Sequence, residues 1–132
     1  MIFVDSSFWI AETLRRDGRH AVAEQLSLAY GTASLTTSNL IVGETWTLVR
    51  RRAGHRWAMR WLDTIRAAPR VAVERIDAEL EDEAWTWLRI HDERPYSFVD
   101  ATSFTLMRKL RIKEALAFDG DFAAAGFVEL RP

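Results

Sequence analysis

Ile2-Phe3-Val4-Asp5-Ser6-Ser7-Phe8-Trp9 is the stretch whose reading decides the fold. Three apolar, β-prone residues in succession read as a buried strand. An acidic residue ends the run, and Ser6 and Ser7 can cap a helix over Phe8 to Arg16, closed by Gly18. The rest of the chain repeats this alternation. Ser34-Leu35-Thr36, Val71-Ala72-Val73, Ala115-Leu116-Ala117-Phe118 and Phe127-Val128-Glu129-Leu130 are further short runs, the last alternating like an edge strand. Segments of helical period lie between them. His20 to Tyr30 steps through Val22, Leu26 and Tyr30, and Thr37 or Ser38 caps a helix to about Arg52. His55 to Ala68 carries Trp57, Trp61 and Ile65 on one stripe, Asp77 caps a helix with an acidic first turn, and Ser97 caps another to about Leu110. Strands separated by helices, with no room for hairpins, imply right-handed crossovers. The expected architecture is an α/β sandwich: a mostly parallel sheet of about four to five short strands flanked by helices.

Composition narrows the function classes. The chain has 132 residues, which suits one domain over 1–132, and 48% hydrophobic with 28% charged residues argues against disorder. No apolar run is long enough to span a membrane, and Met1-Ile2-Phe3-Val4-Asp5 has no basic leader, so a cytoplasmic protein is expected. The absence of cysteine removes disulfides, thiolate metal sites and a cysteine nucleophile together. A net charge of −1 provides no whole-molecule basic field, so nucleic acid would have to be held by a local patch or through a bound cation.

In open parallel sheets, sites form beyond the carboxyl ends of the strands. Asp5 and Asp119 are each the first polar residue after a strand, and each has an ordinary alternative as a helix cap or an Asp-Gly turn. Glu44 falls in or beside the stripe Leu40, Ile41 and Leu48; a helix turned to bury Trp46 and Val49 would expose it instead. Asp100 fits a capping box with Ser97, and also heads the row Phe104–Met107 on the buried side of its helix. These four carboxylates converge at one edge of a parallel sheet. Without a cation they would repel and raise one another's pKa. Mg²⁺ or Mn²⁺ answers that need, and Asp121 adds a fifth carboxylate or merely a solvated turn residue. Such a cluster suits phosphodiester hydrolysis.

The ordered set Asp5, Glu44, Asp100 and Asp119 resembles the acidic quartet of PIN-domain ribonucleases, and more narrowly that of VapC-type toxins of bacterial toxin–antitoxin pairs. Val4-Asp5-Ser6-Ser7, Ser38-Asn39-Leu40 to Glu44, Ser97-Phe98-Val99-Asp100-Ala101 and Phe118-Asp119-Gly120-Asp121-Phe122 to Gly126-Phe127 carry the resemblance, which spans essentially the whole chain. It implies a PIN-like three-layer sandwich and a Mg²⁺- or Mn²⁺-dependent endoribonuclease. The quartet would hold the metal or its waters, and Ser7 would supply a supporting hydroxyl. It also implies a homodimer and a small antitoxin that covers the site. The chain departs from many relatives at Ala117, where they carry Thr or Ser, and at Asp121, often a non-acid.

Arg50-Arg51-Arg52 with Arg56 is the densest basic run, either an RNA-phosphate flank or a favourable helix end. Trp9, Trp46 and Trp57 are candidates for an apolar antitoxin groove, although core packing accounts for most of the six tryptophans. His20, His55 and His91 read as surface residues without zinc-site spacing. Two other functions compete: a Mg²⁺-dependent phosphatase-like phosphotransfer domain, and a binding module with a degenerate site. The first lacks the second aspartate after strand one, and the second has no use for four like charges.

Overall fold

A computed structural model describes residues 1–132. Five strands form one sheet: β1 (Ile2–Val4), β2 (Leu35–Ser38), β3 (Val71–Glu74), β4 (Glu114–Leu116) and β5 (Val128–Glu129). Seven helices connect them: α1 (Ser6–Thr13), α2 (His20–Ala29), α3 (Asn39–Ala53), α4 (His55–Ala67), α5 (Ala78–Ile90), α6 (Phe98–Leu110) and the single turn α7 (Asp121–Ala124). The strand order is β3-β2-β1-β4-β5, and every neighbouring pair is parallel. Helices α1 to α4 pack among themselves, as do α5 to α7, which gives the three-layer arrangement expected.

This order creates a topological switch. The chain leaves β1 toward β2 and β3, then crosses back to place β4 and β5 on the other side of β1. The carboxyl ends of β1 and β4 therefore diverge into helices on opposite faces, and the crevice between them is where such sheets bind ligands. β1 is buried throughout, as its unbroken apolar run required, whereas β3 at the edge is largely exposed.

Element ends differ from the sequence expectation where a side chain makes a contact that periodicity does not encode. Asp5 itself, not Ser6 or Ser7, caps α1, so the helix begins at Ser6 and stops at Thr13. β4 closes at Leu116, leaving Ala117 and Phe118 as the approach to Asp119. β2 extends to Ser38, which caps α3 by accepting a hydrogen bond from Ile41 N at 3.1 Å. In α3 the buried row is Ile41, Thr45 and Val49, between the two rotations considered. Glu44 and Leu48 consequently sit half-buried at the rim.

The tryptophans divide. Trp9 and Trp61 are core residues in edge-to-face contact at 6.3 Å. Burial removes Trp9 from any docking groove. Trp57 and Trp85 are exposed. Two histidines are less superficial than expected. His20 Nδ1 bonds Ala11 O at 2.7 Å and its Nε2 pairs with Glu24 at 2.9 Å, tying α2 to the end of α1. His91 stacks on Trp87 at 4.0 Å. No helix is long and apolar enough to cross a membrane.

Candidate active site

The crevice at the ends of β1 and β4 gathers the carboxylates. Asp5 follows β1 and is only 4% exposed. One of its oxygens, Oδ2, accepts hydrogen bonds from Ser7 N at 3.1 Å and Ser7 Oγ at 2.7 Å. Ser7 Oγ in turn accepts a bond from Phe118 N at 3.2 Å. This hydroxyl thus locks the end of β1 to the segment that leads into Asp119. Glu44 projects from α3 and accepts a hydrogen bond from Ser6 Oγ. Asp100 stands in the first turn of α6 inside the capping box: Asp100 N donates to Ser97 Oγ, and Ser97 N to Asp100 Oδ2, both at 2.9 Å. Capping therefore aims the carboxylate at the helix's amino end, where the dipole favours negative charge.

Asp119 and Asp121 lie on a turn that needs Gly120 in the left-handed region, at φ 80°. Two residues that the sequence did not single out hold this turn. Glu129, with its side chain nearly buried, accepts from Gly120 N at 3.3 Å, Ala123 N at 3.0 Å and Arg131 Nη2 at 2.8 Å. Arg94, from the loop before α6, donates from Nε at 3.0 Å and lies within 2.9 Å through Nη2 at the same Asp121 oxygen. Ala117 is fully buried, and its carbonyl is taken by Arg131. Arg19 reaches in from the α1–α2 connection and pairs with Asp119 at 3.1 Å. Nothing local marks Arg19 or Arg94, because each acts on a turn distant in sequence, whereas Glu129 folds back on it from six to nine residues away.

The carboxylates form one electrostatic network. Burial pushes Asp5 up to about 7, partly offset by its bonds to Ser7, and the charges of Asp100 and Asp119 push it further. Asp100 is also raised, first by burial and then by Asp121 and Glu44. Asp5 has no Lys, Arg or His partner. A buried carboxylate without a cationic side chain, with Asp100 and Asp119 as like-charged neighbours, suits a hard cation's ligand. The donor set is all oxygen, which suits Mg²⁺ or Mn²⁺. No three acidic or histidine side chains converge closely enough here to chelate one ion by themselves. An ion held here would have to complete its shell with water, as Mg²⁺ usually does.

A stability consequence follows from Asp5. Its folded value lies above the ordinary 3.8, so the folded chain holds a proton that the unfolded chain has released. Without divalent cations, stability should therefore fall as pH rises from about 4 to about 7, by up to roughly 4 kcal/mol for a shift of this size. Thermal unfolding in EDTA at pH 5 and pH 8 should show the loss, and Asp5→Asn should flatten it.

Two openings flank the cluster. A pocket of about 440 Å³ is lined by Ser6, Ser7, Arg19, Glu44, Arg52 and Asp119, among others. A second, of about 510 Å³, runs along the other side of Glu44 and includes Arg51, Leu48, Phe98 and Val99. Of the basic run, Arg51 and Arg52 thus border the site. Arg50 lies over Trp46 at 6.0 Å, and Arg56 lines neither pocket.

The chain is similar to known proteins over its whole length. The family model of the PIN domain matches residues 2–128. The chain is 56% identical over 132 residues to the 23S rRNA-specific endonuclease VapC20 of Mycobacterium tuberculosis, in both strain CDC 1551 / Oshkosh and strain ATCC 25618 / H37Rv. Each match covers 100% of this chain and 99% of the relative. Among solved structures it is similar to the crystal structure of Mycobacterium tuberculosis VapC20, described as a sarcin-ricin loop cleaving toxin. The TM-score is 0.93 at 55% identity, with both chains covered completely.

Proposed function

The chain belongs to the PIN-domain family, and from that premise we propose that it is a divalent-cation-dependent endoribonuclease, the toxin of a toxin–antitoxin pair, and that one domain over 1–132 carries the activity. The observation that carries the assignment is Asp5: a buried carboxylate with no cationic side chain, at the switch point of the sheet, facing Asp100 and Asp119. Asp5, Glu44, Asp100 and Asp119 are the residues that would hold Mg²⁺ or Mn²⁺ directly or through its waters, with Asp121 at the margin. When bound, such an ion would supply Lewis-acid activation of water and charge stabilisation at the phosphoryl group.

The chain's own residues do the rest. Ser7 orients Asp5 and fixes the distance between the ends of β1 and β4. Ser6 holds Glu44 on the pocket side of α3. Arg51 and Arg52, each lining a pocket that Glu44 also lines, take backbone phosphates, and Arg50 and Arg56 of the same basic run would add to them. Full-length identity of 56% to a 23S rRNA-specific endonuclease supports ribosomal RNA as the substrate class, cut in the cytoplasm where ribosomes are. The antitoxin would cover the neighbouring cleft of Leu14, Ala53 and the exposed Trp57. A second copy would cover the stacked pair Trp85 and Phe98, where Trp85 is 46% exposed.

The test is incubation of the purified chain with total RNA and with intact ribosomes, in Mg²⁺, in Mn²⁺ and in EDTA. The expected result is a discrete cut in large-subunit ribosomal RNA that requires the cation. Intact RNA in all three conditions, with the protein folded and binding the cation, would overturn the nuclease assignment.

A further inference from the structure

Among the arginines that contact the Asp119–Asp121 turn, Arg19 is the loosely held one. Arg94 engages Asp121 through both Nε and Nη2 and also reaches Asp119 O. Arg131 is spent on Glu129 and on the carbonyls of Ala117 and Leu130. Arg19 makes a single side-chain contact with an acid, Nη1 to Asp119 Oδ1 at 3.1 Å, and both side chains are 51% exposed. A half-exposed, one-point ion pair is weak and readily exchanged. Its guanidinium also lies 5.4 Å from the Phe118 ring centroid, a contact that keeps the side chain along the pocket wall without occupying its donors.

The backbone beneath Arg19 is built to aim it. Arg19 N donates to Asp17 Oδ1 at 2.9 Å, and Asp17 Oδ2 faces Arg52 Nη1 at 3.6 Å. Asp17 therefore couples the α1–α2 connection to the end of α3, and brings Arg19 and Arg52 to the same pocket as Glu44 and Asp119. Glu44 and Asp119 line that pocket together with two guanidinium groups. The carboxylates repel a polyanion, so an anionic ligand needs donors beside them. Arg19 presents several unspent N–H groups in the planar fork that fits phosphate.

We propose that Arg19 is a substrate-contacting residue of this nuclease, gripping the RNA phosphate at or next to the scissile bond, with Asp17 as its positioning residue. In the free chain Arg19 rests on Asp119, and the RNA phosphate replaces that carboxylate as its partner. Charge that develops on the phosphoryl oxygens then faces a fixed guanidinium, the type of interaction that lowers a transition state. The proposal rests on the nuclease reading above, and the experiment separates the two.

Three measurements compare wild type with Arg19→Ala and Arg19→Lys. The first is cleavage of ribosomal RNA, with a loss in kcat/KM of roughly 10²–10³-fold expected for Ala and only partial recovery for Lys. The second is affinity for the same RNA on the non-cleaving Asp100→Asn background. Arg19→Ala should weaken it and lower the slope of log affinity against log salt by about 0.7–0.9, one phosphate contact. The third is cation affinity by calorimetry without RNA, which should be unchanged or tighter once the guanidinium no longer competes for Asp119. Unchanged RNA affinity and salt slope would overturn the proposal. So would a parallel loss of cation affinity and cleavage, because Arg19 would then only prop Asp119. If wild type cleaves nothing, the nuclease reading fails, and the RNA-binding arm still decides whether Arg19 holds a phosphate.

Discussion

Asp100→Asn is expected to lower metal-dependent RNA cleavage by roughly 10²–10³-fold or more while the chain stays folded. The substitution preserves the shape of the side chain and an oxygen that can still accept from Ser97 N, so the capping box survives in large part. What disappears is the charge at the point where the network meets. Asp100 feels Asp121 and Glu44, and itself raises Asp5. On the proposed reading, removing it would leave the cation short of one carboxylate, whether that group binds directly or through water. It also relieves repulsion, so the cation-free variant should melt no lower than wild type at neutral pH. Initial cleavage rates beside melting temperatures in EDTA check both halves. A variant that cleaves at the wild-type rate would remove Asp100 from the catalytic set.

The largest loss of stability is expected from Phe104→Ala, about 3–5 kcal/mol. Phe104 is fully buried, one turn along α6 from Asp100. Its ring meets Phe122 edge-on at 5.0 Å, Trp87 at 5.2 Å and Tyr96 at 5.7 Å, and stacks on Phe127 at 5.7 Å. It is therefore the packing link between α6, which carries Asp100, and α7, which follows Asp119. Truncation leaves a cavity among rigid rings that cannot collapse to fill it. For a domain whose whole stability is on the order of 5–15 kcal/mol, that is a severe change. Urea unfolding should show a large drop in midpoint. Cleavage by the remaining folded molecules should also fall, because the two carboxylates lose their common support. Phe104→Leu should recover most of the stability.

How much of this was legible in the chain depends on the range of the interaction concerned. Ile2-Phe3-Val4 could only be a buried strand, and Ser38, Asp77 and Ser97 cap the helices that their spacing suggested. Those are local matters of period and capping, settled within a few residues. The rotation of α3 was not local. Two faces were chemically acceptable, and packing chose a third, burying Ile41, Thr45 and Val49 and leaving Glu44 at the rim. The tryptophans show the same limit: Trp57 and Trp61 lie one turn apart on one apolar stripe, yet only Trp61 is covered by the core. Periodicity states which residues share a face, not how far the neighbouring layer extends over it.

By itself, then, the sequence determined the α/β alternation, the parallel sheet, and the placement of Asp5 at a strand end, with Glu44 and Asp100 on adjoining helices and Asp119 in the turn past β4. Strand polarity and helix caps follow from local sterics and hydrogen bonding, so they can be read along the chain. Only the tertiary structure decided which groups neutralise or brace those carboxylates. Arg19 meets Asp119 across 100 residues, Phe118 N meets Ser7 across 111, and Ser6 meets Glu44 across 38. Such pairings depend on the strand order β3-β2-β1-β4-β5, which brings the two ends of the chain together at one crevice. Charge interactions act through space, and the distances that govern them exist only after the sheet has closed.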